Sequence, residues 1–514
     1  MITTHAFVFP NKEFPEGVSM KVNRFPLVFV ILAVFLYSCE ITISTGDGGG
    51  GNHSERQTRT FWAQNTTTGA FYTVNAELLY QGEKCYVWGE ISARVSEETA
   101  QSIANTYDKT IFPKMIEAFN AGTEFRDEDG VIVARNPMEL ADYYGDGNGK
   151  LIILLLNIRD SYGVGGNRAF VQGYFWSGDM FSRSVVPNSN EADMIYIDTN
   201  PGRPGTKDSN STLAHEMQHL MNFALSVAKR GRPMDLWIDE GLATSSAWIW
   251  SGEHDRDQVS WYNEDPFGTI RGGNNFFVWG NKTETNQGVV LDDYSTVYLF
   301  FQWLRLQAGS ANIYRNIINS EYYDVRAVTS AANAAIPGMG YNEWGTLLRN
   351  WFAANYVNAS SGPYGYRNDS LLRTIQPKYL TGNPGSFPLA PGEGVYTQKT
   401  SMPSATNYVK YAGLPERGSQ TAPNSNATAT GFSALLSYNI DTNTEGTASP
   451  SNPFSLETIP PPTDTDLQPN RSMGQSHLLT RPFPVSARDM LARNGHREHN
   501  IDFQQLRQGI KISE

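Results

Sequence analysis

Apolar positions along this chain follow three different periods. Across 71–91, "FYTVNAELLYQGEKCYVWGEI", apolar and polar residues alternate on either side of Gln81-Gly82, the pattern of two strands joined by a turn. Ser96 caps a helix that runs to about Asn120. "GKLIILLLNI", 149–158, is apolar almost without interruption and bounded by Gly and Asp, as in a central strand buried on both faces. Further strands are predicted at 168–176, "RAFVQGYFW", and 194–199, "MIYIDT", and helices at 211–229, 235–250, 294–308 and 342–356. Strands first and helices afterwards imply an α+β fold: a mixed sheet in an N-terminal lobe, a helical C-terminal lobe and a cleft between them.

The flanks read differently. From about 376 the chain turns to Pro, Gly, Ser, Thr and Asn, with short runs such as "NYVKYAG" and "GFSALLSYNID" that predict a small β region over 376–445. Residues 446–514 are expected to be a low-complexity, disordered tail. Near the start, Lys21 and Arg24 precede an apolar stretch from Phe25 to Tyr37, a signal-peptide pattern too short for the ~20 residues of a spanning helix. Translation is expected to begin at Met20, with residues 1–38 removed. The ending Leu36-Tyr37-Ser38-Cys39 resembles a bacterial lipobox, from which the bulky Tyr37 departs. That resemblance implies an acylated Cys39, an exported protein and a lipid anchor in the bacterial cell envelope. The glycine-rich 39–58 reads as a tether, leaving 59–375 as the main domain.

Composition narrows the function classes. A formal net charge of −12, with no basic stripe in the central region, argues against a nucleic-acid partner. Only Cys39 and Cys85 are present, so no intramolecular disulfide framework supports an exported chain. Cys85 sits in a strand-like run and reads as a small buried apolar residue.

The chemistry concentrates in "DSNSTLAHEMQHLMNF", 208–223, in a chain with only 8 histidines. Around a helix, Leu213, Met217, Leu220, Met221, Ala224 and Ala228 form a core stripe, while His215 and His219 lie on nearly the opposite side. Two imidazoles one turn apart can reach a single zinc ion, with Glu216 pointing along the cleft beside it, the HExxH arrangement. A longer HExxHxxGxxH pattern is excluded by Asn222 and Leu225. Downstream, Gly231 and Pro233 break the helix, and a second helix brings back Glu240 in "WIDEGLA". A carboxylate there completes three protein ligands and leaves a position for water. Asp239 is the rival ligand but lies about 100° away on the helix, so Glu240 is preferred.

With those residues, "HEMQHLMNF" plus "WIDEGLA" resembles the glutamate-ligand zinc peptidases, and in particular the hyicolysin-type metallopeptidase family. The likeness extends to "GYFWSGDMF", "SNEADMIYIDT" and "DYSTVYLFFQWL", over about residues 59–360. It implies a two-lobed zincin-like domain, protein or peptide substrates, and zinc-dependent endopeptidase activity. Zinc would be held by His215, His219 and Glu240, with Glu216 activating the attacking water. A tyrosine before the following helix would stabilise the oxyanion: Tyr294 is preferred, Tyr298 is the competitor. "RAFVQGYFW" is either the edge strand that pairs with an extended substrate or an interior strand. The rival function is a surface-exposed binding module or adhesin whose zinc is not catalytic.

Two further stretches carry weaker signals. Asp142, Asp146 and Asn148 in "DYYGDGNGK" partly resemble a Ca2+ loop, but Tyr144 breaks the pattern and no Glu stands at position 12. A Gly-rich turn is the preferred reading. "GEHDRD" around His254 reads as a solvated loop.

Overall fold

In a computed structural model, the described residues are 56–442 apart from 128, 165–169, 267, 274–276, 278–287, 381–388 and 399–400. The expected signal segment, the expected lipidation site Cys39, almost all of the expected tether and the expected tail therefore lie outside the described residues.

Sheet strands dominate the first part. They are β1 (Thr58–Gln64), β2 (Phe71–Gln81), β3 (Cys85–Glu90), β4 (Phe125–Arg126), β5 (Ile132–Ala134), β6 (Leu151–Leu156), β7 (Gly173–Tyr174) and β8 (Met194–Asp198). Between them stand α1 (Glu97–Thr106), α2 (Phe112–Phe119) and α3 (Pro137–Tyr144). Helices follow: α4 (Lys207–Leu225), α5 (Leu236–Ser251), α6 (Arg256–Glu264), α7 (Gly288–Ala308), α8 (Asn312–Ile318), α9 (Val325–Ala335) and α10 (Trp344–Val357). Last come β9 (Gly394–Thr397), β10 (Val409–Leu414) and β11 (Ala434–Asn439), a three-stranded antiparallel sheet in the order β10-β11-β9. The architecture is α+β, sheet first and helices second.

The main sheet runs β1-β2-β3-β6-β8-β7 and is mixed. β1, β2 and β3 pair antiparallel, β3-β6 and β6-β8 are parallel, and β7 returns antiparallel to β8 as the last strand. β6 explains why its sequence is uninterrupted: Leu151, Ile153 and Leu155 enter the core shared with the helices, while Ile152, Leu154 and Leu156 enter a second core with Phe61, Trp88 and Tyr196. Cys85 is fully buried in the first of these cores, as its strand pattern suggested. Tyr396, Leu414, Leu436 and Tyr438 of the three-stranded sheet belong to that same core, alongside Trp351 and Phe352 of α10.

Two expected elements differ in extent. The strand predicted at 168–176 is reduced to Gly173–Tyr174. Among its described residues, Val171 N–H donates to Asp160 Oδ2 at 2.7 Å and Phe175 N–H to Glu216 Oε2 at 2.9 Å. The helix expected to start at 294 starts at Gly288, which puts Tyr294 well inside α7 rather than before it.

Candidate metal centre

α4 begins at Thr206, whose side chain accepts the Ser209 N–H, and runs through the fold against α3, α5, β7 and β8. Of its predicted stripe, Leu213, Met217, Leu220, Met221 and Ala224 are buried while Ala228, past the end of α4, is half-buried; the opposite face carrying the histidines is buried as well. The reason is α5, which returns along that face. The return is built by a π-turn over Ser226–Arg230, closed at Gly231 in the left-handed conformation (φ 66°), which places Met234 in the core and starts α5 two residues later.

The crossing brings His215, His219 and Glu240 together. Their Nε2, Nε2 and Oε2 atoms form a triangle: 3.1 Å between the imidazoles, 3.3 Å from His215 to Glu240, and 3.4 Å from His219 to Glu240. Ligands about 2.0–2.1 Å from a tetrahedral zinc stand about 3.3–3.4 Å from one another. The three side chains thus already stand at ligand spacing. Glu240 is fully buried, and neither of its carboxylate oxygens receives a well-aligned hydrogen bond. A buried carboxylate without donors is costly unless a cation meets it, so the donor set fits a divalent metal of the zinc type.

The electrostatics follow from the same crowding. Burial pushes His215 toward its neutral form, although Glu240 opposes that. Burial also opposes a charged His219, yet Asp239 and Glu240 raise it well above the ordinary histidine value. Burial disfavours the Glu240 carboxylate, but the two imidazoles hold it well below the usual range. Where His215 is a neutral donor and Glu240 an anion, both are in metal-binding form.

Glu216 is on the same helix and fully buried, with Oε2 accepting the Phe175 N–H at 2.9 Å, just past β7. Asp239 does not join the triangle. Its Oδ1 lies 3.2 Å from His219 Nδ1, on the far side of the ring, and accepts from Asn222 Nδ2 at 2.5 Å. Asn222 is held in turn by Arg230, whose Nη2 donates to the Asn222 carbonyl at 2.9 Å. Sequence reasoning weighed Asp239 only as a rival ligand and missed this supporting chain. Its adjacency to Glu240 was the available signal, since a ligating histidine commonly gives its other ring nitrogen to a carboxylate.

Tyr294 is buried, its ring centroid 6.3 Å from that of His215. Tyr298 points its hydroxyl elsewhere: it lies 2.8 Å from His254 Nδ1 and accepts the Asp255 N–H at 3.1 Å. His254 is not the solvated residue expected from "GEHDRD", since its Nε2 is also 2.6 Å from Asp369 Oδ2. A partner 115 positions along the chain was invisible locally.

Fold and site together define a protein with a buried His-His-carboxylate centre of metal-ligand spacing, a second carboxylate on the same helix, and a mixed sheet beside it. In a comparison with known proteins the chain is 27% identical over 377 residues to the neutral metalloprotease ShpI of Staphylococcus hyicus, covering 70% of this chain and 77% of that protein. No protein-family model matches the chain.

Proposed function

We propose that this chain is a zinc-dependent endopeptidase of the hyicolysin type, with a two-lobed zincin-like domain, exported and held on a membrane through Cys39. The observation that carries the reading is the His215–His219–Glu240 triangle with Glu216 one position from its first ligand. Similarity to a protein named as a neutral metalloprotease supports it independently. The lipobox-like Leu36-Tyr37-Ser38-Cys39 supports the anchoring part of the reading.

His215, His219 and Glu240 would hold the ion. Zinc bound there supplies Lewis acidity, lowering the pKa of water toward about 7 and polarising a peptide carbonyl. Glu216, oriented by the Phe175 N–H, accepts a proton from the attacking water and returns it to the leaving amine. Tyr294 donates to the oxyanion of the tetrahedral intermediate. The position of β7 as the last strand of the sheet supports a substrate backbone laid along that edge. Asp239 keeps the His219 ring oriented.

The test is Glu216→Gln, which removes the base and keeps the shape. Zinc content is expected to stay at the wild-type level while kcat/KM on a protein substrate falls by at least about 10²-fold. Undiminished turnover in that variant rejects the mechanism.

A further inference from the structure

A second group of carboxylates lies outside this site. Asp142 lies in the last turn of α3, Asp146 in the turn between α3 and β6, and Asp193 stands immediately before β8. Each offers an oxygen, and the three oxygens lie within 4.8 Å of one another. Asp193 is 1% exposed and its Oδ1 has no hydrogen-bond partner. That oxygen is turned toward the turn: a Cβ added to Gly145 would stand 2.8 Å from it and 2.6 Å from the Asp193 nitrogen. Gly145 therefore lets the turn close onto Asp193. Among the described residues no lysine or arginine forms an ion pair with any of the three.

Three carboxylates in this position repel one another, and one oxygen of the buried Asp193 has lost water without a hydrogen-bond partner. Burial raises Asp193 well above the carboxylate range, and the neighbouring Asp146 and Asp142 add to it. An oxygen-only ligand set is the choice of a hard divalent cation, and ligands 2.3–2.6 Å from one Ca2+ span up to about 5 Å across it. Mg2+ requires a tighter octahedron and gives up its waters reluctantly. The EF-hand-like resemblance in the sequence is not what builds this group. Asn148, the third residue of that pattern, instead accepts the Lys150 N–H at 2.9 Å, and Asp193 supplies the missing ligand from a distant part of the chain.

We propose that Asp142, Asp146 and Asp193 form a structural Ca2+ site, completed by water, that fastens the α3–β6 turn to the start of β8. The mechanical consequence follows the backbone. The Asp193 carbonyl accepts the Ile152 N–H at 3.0 Å, so the ion would sit where the two central parallel strands begin. β8 in turn pairs with β7, beyond which Phe175 orients Glu216. The site is separate from the zinc ligands, and its occupancy is independent of the peptidase reading.

The experiment is a calorimetric titration of the full chain with CaCl2, after passage over chelating resin and return of one equivalent of ZnCl2, paired with thermal melts. Wild type is expected to bind Ca2+ saturably with Kd below about 10⁻³ M and to gain about 2 °C or more in Tm at saturating Ca2+. Asp193→Asn is expected to weaken binding at least about 10-fold and to lose the Tm gain. Asp146→Asn, on the exposed arm of the turn, serves the same purpose should the buried substitution fail to fold. No Ca2+ binding by wild type at millimolar concentration overturns the proposal, as does binding unchanged in Asp146→Asn. An equal Tm gain with MgCl2 overturns the assignment to Ca2+.

Discussion

His219 is pinned from two sides, by the triangle through Nε2 and by Asp239 through Nδ1. Supporting carboxylates of this kind fix the tautomer and orientation of a ligating imidazole, and their loss costs about 10–100-fold in metal affinity. Asp239→Asn is therefore expected to weaken zinc binding by that factor in a competition titration while leaving the fold melting cooperatively. Wild-type affinity in the variant would remove Asp239 from the account. The two tyrosines separate by the same logic. Tyr294→Phe is expected to lower kcat about 10²–10³-fold with zinc retained, as for loss of an oxyanion donor. Tyr298→Phe is expected to leave kcat near wild type and to cost about 1–2 kcal/mol of stability, because it strips a buried partner from the Asp255 N–H and from His254. Exchanged effects would reverse the assignment. At this scale much was legible: His215, Glu216 and His219 sit within one and a half turns of a single helix, and helical spacing alone fixes their relation. Their partners across elements were not. Phe175 contributes a backbone N–H, which carries no residue signature, and Asp193 meets Asp142 only because two parallel strands bring their starting ends together.

Between elements, the decisive contact is the packing of α5 on α4 and α7. Gly241, next to Glu240, makes it possible: a Cβ there would stand 2.2 Å from Phe301 Cε2, on a ring fully buried in the core. Gly241→Ala is expected to destabilise the protein by about 1–3 kcal/mol in chemical denaturation and to weaken zinc binding as Glu240 is displaced. Stability and zinc affinity both unchanged would contradict this packing. The return of α5 was readable in sequence because Gly231 and Pro233 interrupt a strong helical pattern at a distance that permits an antiparallel crossing. The start of α7 was not. The helix was expected from 294, yet Asp292 lies inside it with its carboxylate accepting from Trp261 Nε1 at 2.6 Å, a tertiary contact that the local sequence does not signal. Helices α8 and α9 were likewise unread, being short segments whose burial depends on neighbours rather than on a long period of their own.

Across the whole molecule, sheet and helices share one core, and the proposed zinc centre lies where α4, beside β7 and β8, meets α5. Sequence order conveyed that layout, since parallel central strands read as solid apolar runs and the long helices as interrupted periods. With 2 cysteines in the chain, and Cys85 buried in the core, the fold depends on apolar burial and on any ions it holds. The most direct test of the central claim is to measure zinc content and protein cleavage on one preparation of the full chain, before and after zinc is withdrawn and restored. About one zinc per chain is expected, with cleavage lost as it leaves and recovered as it returns. Cleavage that persists without zinc, or stoichiometric zinc with no cleavage of any protein offered, contradicts the account.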